Sequence, residues 1–166
     1  MVDLTHVVPA KFGQLFQEEK FDSLTTLFLY PKSQAKGAHL EDSVYFASVF
    51  RVMRGKWGAI EHFERSKGFG GPSGSLAMNT GDSAFEVDEL PLCKDTVFVD
   101  VEFEKLKKLT LGFIQCNKGS HYSIGVMEFI KSFPKDLKGA PLEKAQQDFN
   151  AEFRKITADA MSVLKK

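Results

Sequence analysis

The sequence predicts an α+β domain: short N-terminal helices, then a curved, mostly antiparallel sheet of about six strands, then a long amphipathic C-terminal helix packed on that sheet. Two patterns and one compositional bias carry this reading. Between Thr96 and Ile130 the chain reads as three consecutive strands, and Val97, Val99, Val101 and Phe103 alternate with Asp100, Glu102 and Glu104. From Leu142 onward, Ala145, Phe149, Phe153, Ile156, Ala160, Val163 and Leu164 follow in three- and four-residue steps, the spacing of one buried helix face. The chain has 166 residues with 43% hydrophobic and 27% charged, which suits a single globular domain spanning 1–166. Its aromatic residues comprise 16 Phe against 3 Tyr and 1 Trp, a bias toward dry cores and apolar pockets.

The elements follow in order. Pro9 to Tyr30 reads as two short helices, the first carrying Phe12, Leu15 and Phe16, the second capped by Asp22 and ended by Pro31. Lys32 to Leu40 is polar and small, a loop by composition. Ser43 to Met53 is rich in aromatic and β-branched residues and reads as a strand with both faces apolar. The segment around Trp57, flanked by Gly55 and Gly58, fits either a strand after a tight turn or a short helix. Lys67 to Ser75 is glycine-rich, and Gly68–Gly74 lacks both the Walker lysine and the Rossmann spacing, so it reads as a surface loop. Ser83 to Leu90 reads as a half-buried strand.

Lys105 to Lys108 is a solvated turn between Phe103 and the next strand, Leu109 to Cys116. Asn117 to Ser120 then offers turn chemistry ahead of a strand from His121 to Ile130. With Lys118 and Gly119 as the central pair, Phe113 meets Ile124, Leu111 meets Val126, and Gly112 faces Gly125. Two facing glycines would bend the sheet or admit a ligand. Pro141 stands in the first turn of the last helix.

Charge narrows the function. Lys plus Arg number 22 and Asp plus Glu number 22, so no basic excess is present to hold nucleic acid, and none is expected as a partner. No apolar run approaches membrane-spanning length, and the N-terminus lacks the pattern of a signal peptide. The two cysteines, Cys93 and Cys116, read as reduced thiols and the protein as cytoplasmic. The histidines, His6, His39, His62 and His121, have no metal-ligand spacing, so neither metal nor cofactor is expected and no catalytic residue is assigned. His62 flanked by Glu61 and Glu64 could form an acid–base set, whereas the carboxylates on the outer side of the central strands read as solvated surface.

The order of elements resembles that of helix-grip domains, a lipid- and hormone-binding family with a C-terminal helix. It resembles less closely the cone-shaped nuclear-transport-factor-like domains. The resemblance is one of order alone, and it transfers no functional residue. The expected function is binding of a small, largely apolar molecule between the sheet and the C-terminal helix. Phe46, Phe50, Phe113, Tyr122, Phe149 and Phe153 would line the pocket, with Arg51 or His121 orienting a polar group. The alternatives are assembly, as a homo-oligomer or with another protein, through a sheet face or edge, and a lyase or isomerase using the same pocket.

Overall fold

A computed structural model of the chain describes residues 7–28, 38–67, 72–79, 92–118 and 121–164. Helix α1 spans Val7–Gln17 and α2 spans Phe21–Leu24, continued by a single 3₁₀ turn at Thr25–Leu27. Helix α3 spans Ala38–Trp57 and α4 spans Gly139–Leu164. The strands are β1 (Ile60–Arg65), β2 (Ser73–Asn79), β3 (Leu92–Phe103), β4 (Leu109–Lys118) and β5 (His121–Ser132). They form one antiparallel sheet in the order β1-β3-β4-β5-β2. Beyond the end of β2, Phe28 bridges Ile124 of β5 in parallel. The α+β architecture and the long C-terminal helix on the sheet are as the sequence predicts, with one strand fewer among the described residues.

The missing strand is Ser43 to Met53, which lies inside α3. Phe46, Val49, Phe50, Met53 and Trp57 are all buried, and their spacing is helical. A strand reading of the same residues leaves both faces apolar, whereas the helix gathers them into one stripe. The stripe continues to Trp57, past the point where the strand was ended. Helix also resolves the segment around Trp57: α3 ends there and Gly58 takes φ +84° as its C-terminal cap, donating its N–H to the Arg54 carbonyl at 3.0 Å. Expected features at Pro31, at Ser83 to Leu90 and in the Gly-rich loop at 68–71 lie outside the described residues. Ser73 to Ser75 of the Gly-rich patch begin β2.

The second correction concerns register. Lys118 pairs with His121, Cys116 with Ser123 and Gln115 with Ile124, so the turn lies one residue later than expected. Ile114 then pairs with Val126, leaving Gly125 as an extra residue on β5, a β-bulge. Gly112 consequently lies opposite Glu128, not Gly125, and the Phe98 ring of β3 covers it. The bulge has a purpose in the pattern: it brings Ile124 to the same side of the sheet as Met127 and Phe129, and all three are buried.

That inner side carries Val97, Val99, Val101 and Phe103 of β3 with Leu109, Leu111 and Phe113 of β4, and the helices cover it. Rings fill the space between. Phe12 of α1 meets Phe50 of α3 and Phe113 of β4, both at 5.4 Å between centroids and both edge to face. The series continues through Phe16 to Phe103, Trp57, Phe129 and Phe153. Helix α4 is fixed to α3 by the Trp57 N–H donating to Glu152 at 3.0 Å and the buried Ser48 hydroxyl donating to the Ala160 carbonyl at 2.9 Å. Gln17 ends α1 by pairing both its amide atoms with the backbone of Ile60 on the edge strand β1, at 3.1 and 2.7 Å.

The thiol expectation is also corrected. Cys116 is disulfide-bonded, and Cys93 is the other cysteine of the sequence.

Two glycines of α3 and its cap give opposite predictions. A Cβ at Gly58 would lie 2.9 Å from the Glu104 Cβ at a positive φ, so Gly58→Ala lowers unfolding free energy by about 2 kcal/mol or more. Gly55 lies in the last turn of α3 with nothing within 4 Å of an added Cβ, so Gly55→Ala raises it by up to about 0.5–1 kcal/mol. Urea titration of the two variants beside the native chain checks both signs; equal effects would contradict the placement of the α3 terminus.

Candidate functional site

The residues expected to line one pocket fall into two groups. Phe46, Phe50 and Phe113 come together under α3 at one end of the ring series, with Phe28 5.1 Å from Phe46. Phe50 and Phe113 are fully buried and occupied by contacts with Phe12. Phe149 and Phe153 lie on α4 at the other end, where Phe153 meets Phe129 at 5.0 Å. Arg51 is exposed, its guanidinium 5.5 Å from the Phe21 ring centroid, a cation–π contact on the helical surface. His121 and Tyr122 begin β5 opposite Lys118 and Asn117, and their side chains lie outside the described ones.

Sequence reasoning missed a fully buried polar residue on the inner face. Along β4, Leu109, Leu111 and Phe113 point inward, and alternation carries Gln115 to the same side. Gln115 is 0% exposed, and neither its amide oxygen nor its amide nitrogen has a hydrogen-bond partner among the protein groups of the described residues. Its neighbour across the sheet is Ile124, fully buried, and beyond that stands Phe28. A glutamine amide has two donor hydrogens and an acceptor oxygen, and burial strips them of water. Each orphaned group costs about 1–3 kcal/mol. Buried polar groups are nearly always paired, so an unpaired one asks for a cause.

Local structure holds this amide firmly. The bulge at Gly125 sits on the neighbouring strand at Gln115 itself, and the next residue along β4, Cys116, is in a disulfide. Both restrain the end of β4, so Gln115 has little backbone freedom to swing its amide toward a partner. The signal was present in the sequence: one amide continuing an otherwise apolar inward row. A register with Lys118 and Gly119 at the turn centre pairs Ile124 with Phe113, whereas the bulge brings Ile124 beside Gln115.

The other polar groups differ in kind. Lys131 of β5 is half-buried at the opposite end of the sheet, its ammonium 5.4 Å from the Phe133 ring centroid and donating to the Ser132 carbonyl at 3.1 Å. Burial lowers its pKa, the Lys108 charge adds to that, and Glu152 opposes it. His62 and Glu64 pair at 3.0 Å on the exposed side of β1, and Glu61 pairs with Lys107, both as solvated surface contacts. Asp100 accepts the Thr110 hydroxyl at 2.7 Å on the outer side of the sheet. Among the described residues no group of three His, Cys, Asp or Glu side chains could hold a metal ion, and no helix is long and apolar enough to cross a membrane.

Chemically, the Gln115 amide can orient a polar group by hydrogen bonding, but it neither titrates nor attacks. Replacing it tests whether it is unpaired. Gln115→Leu removes two orphaned groups and keeps the volume close, so it raises the unfolding free energy by about 2 kcal/mol or more. Urea denaturation measures this, and a loss of stability would show that the amide makes bonds on which the fold relies. No family model, curated protein or solved structure matches the chain.

Proposed function

We propose that the chain binds a small, largely apolar molecule against the inner face of its sheet, at the Gln115 end. The observation that carries this reading is the unpaired, fully buried Gln115 amide within an apolar surround. A protein keeps a locally unfavourable group most readily where function uses it. Ligand pockets combine apolar walls with a few placed polar groups, and Ile124, Phe28 and Phe113 supply the first while Gln115 supplies the second. The reading moves the proposed pocket away from α4. Phe149 and Phe153 serve the α4 side of the core, and Phe46 and Phe50 stand nearer the ligand.

Two attributes expected from the sequence alter with it. Arg51, pointing outward over Phe21, is replaced by Gln115 as the orienting group. A disulfide at Cys116 suits an oxidising compartment better than the cytoplasm. Nucleic acid has no place in the reading, because the charge balance is even.

Thermal unfolding of the purified chain with a panel of apolar ligands (alkyl and aryl alcohols, esters, amides, sterols) tests the proposal. A ligand present at a hundredfold its Kd adds about 2.7 kcal/mol of stability. For a domain of this size that raises Tm by about 5–10 °C. No shift from any member at its solubility limit would overturn the reading.

Assembly is a second proposal, supported by apolar residues exposed on the α3–α4 pair: Val44 at 48%, Met161 at 43%, Val163 at 50% and Leu164 at 39%. Sedimentation velocity across a hundredfold concentration range is expected to show a dimer that Val163→Glu dissociates. A monomer throughout would remove this reading.

A further inference from the structure

We infer that the group received by Gln115 is a neutral carboxamide edge, the face of a primary amide or lactam that presents one N–H beside one C=O. The inference rests on the binding reading above and names its ligand class. Both atoms of the Gln115 amide lack partners, so the complement must accept from Nε2 and donate to Oε1 at once. A carboxylate only accepts; it would leave Oε1 unpaired and set a negative charge against it in a dry place. An ammonium only donates, leaving Nε2 unpaired. An ester or ketone accepts alone, and a hydroxyl reaches one amide atom well but not both in parallel. A cis-amide edge meets both through two parallel hydrogen bonds, in the manner of an amide dimer.

The surroundings select the same class. Phe113 precedes Gln115 on the inner row of β4, Ile124 stands beside it on β5, and Phe28 follows across the parallel bridge. All three are buried apolar residues of the core cluster, so a charged ligand group would be desolvated without compensation. A neutral polar edge on an apolar body fits. Discrimination follows from the unpaired groups themselves: a ligand lacking the donor leaves Oε1 as costly as before, and buried polar sites reject such analogues strongly.

The test uses three ligands with one body and different heads: para-heptylbenzamide, para-heptylbenzoate and its methyl ester. Calorimetric titration into the full chain is expected to show the amide binding at least about tenfold tighter than either analogue, the share of one unmade hydrogen bond in a buried site. In Gln115→Leu neither head can pair, so the amide loses that advantage and binds within about twofold of the ester. Gln115→Met, closer in shape and equally unable to pair, is measured beside it so that a misfolded Leu variant does not decide the outcome. Equal affinity for amide and ester, or an amide preference that survives both substitutions, overturns the carboxamide assignment while leaving the pocket reading in place. Failure of all three ligands to bind the native chain overturns both.

Discussion

Phe12 touches Phe50 and Phe113 at the same ring separation of 5.4 Å, and through that contact α1, α3 and β4 are joined at one point. Phe16, Phe103 of β3, Trp57 and Phe129 of β5 extend it until Phe153 of α4 closes the series. Burying a Phe contributes about 1.5–3 kcal/mol, and each edge-to-face pair adds about 0.5–1.5. The edge-to-face geometry also constrains where helices can lie, because a ring has one preferred approach to its neighbour. This is why the chain spends so many of its aromatic residues on Phe. A Tyr or Trp at those positions would have to find a partner for its polar atom, and the one Trp does so only by reaching Glu152 at the margin of the core.

A core filled this way limits where polar chemistry can occur on the inner face. Under α3 the rings occupy one another, and at the α4 end Trp57, Phe129 and Phe153 do the same. The inner row of β4 breaks its apolar pattern at Gln115, beside Ile124 and the Phe28 ring that meets Phe46. Held between a bulge on β5 and a disulfide on the following residue, the amide is presented in a fixed position. Rigid presentation of an unpaired group costs stability in the free chain, and the binding proposed above would return it without reorganisation.

How much of this the sequence discloses depends on whether local periodicity is unambiguous. In β3, Val97 to Phe103 alternate with carboxylates, and in α4, Phe149, Phe153, Ile156 and Ala160 recur at helical spacing; each admits one period, and both elements form as read. In α3 the residues from Val44 to Met53 satisfy both periods, so the buried Trp57 one turn further on was the deciding residue. The β4–β5 register could not be read from the turn because Gly125 is a bulge, which depends on which side chains the helices cover and not on the turn sequence. The inward position of Gln115 follows from alternation along β4 alone, but its full burial and its lack of a partner among the described residues depend on the packing of β5 and the helices, which no local pattern discloses. The Phe residues expected to line one pocket are divided between two ends of the ring series, which sequence spacing does not disclose.

A crystal structure of the chain grown with an aryl carboxamide tests the central claim most directly. The account predicts the ligand amide at hydrogen-bond distance, about 2.8–3.2 Å, from both Oε1 and Nε2 of Gln115, with the Phe12, Phe50 and Phe113 rings still in mutual contact. A Gln115 amide bonded instead to protein groups, or a ligand seated among displaced rings, would contradict it.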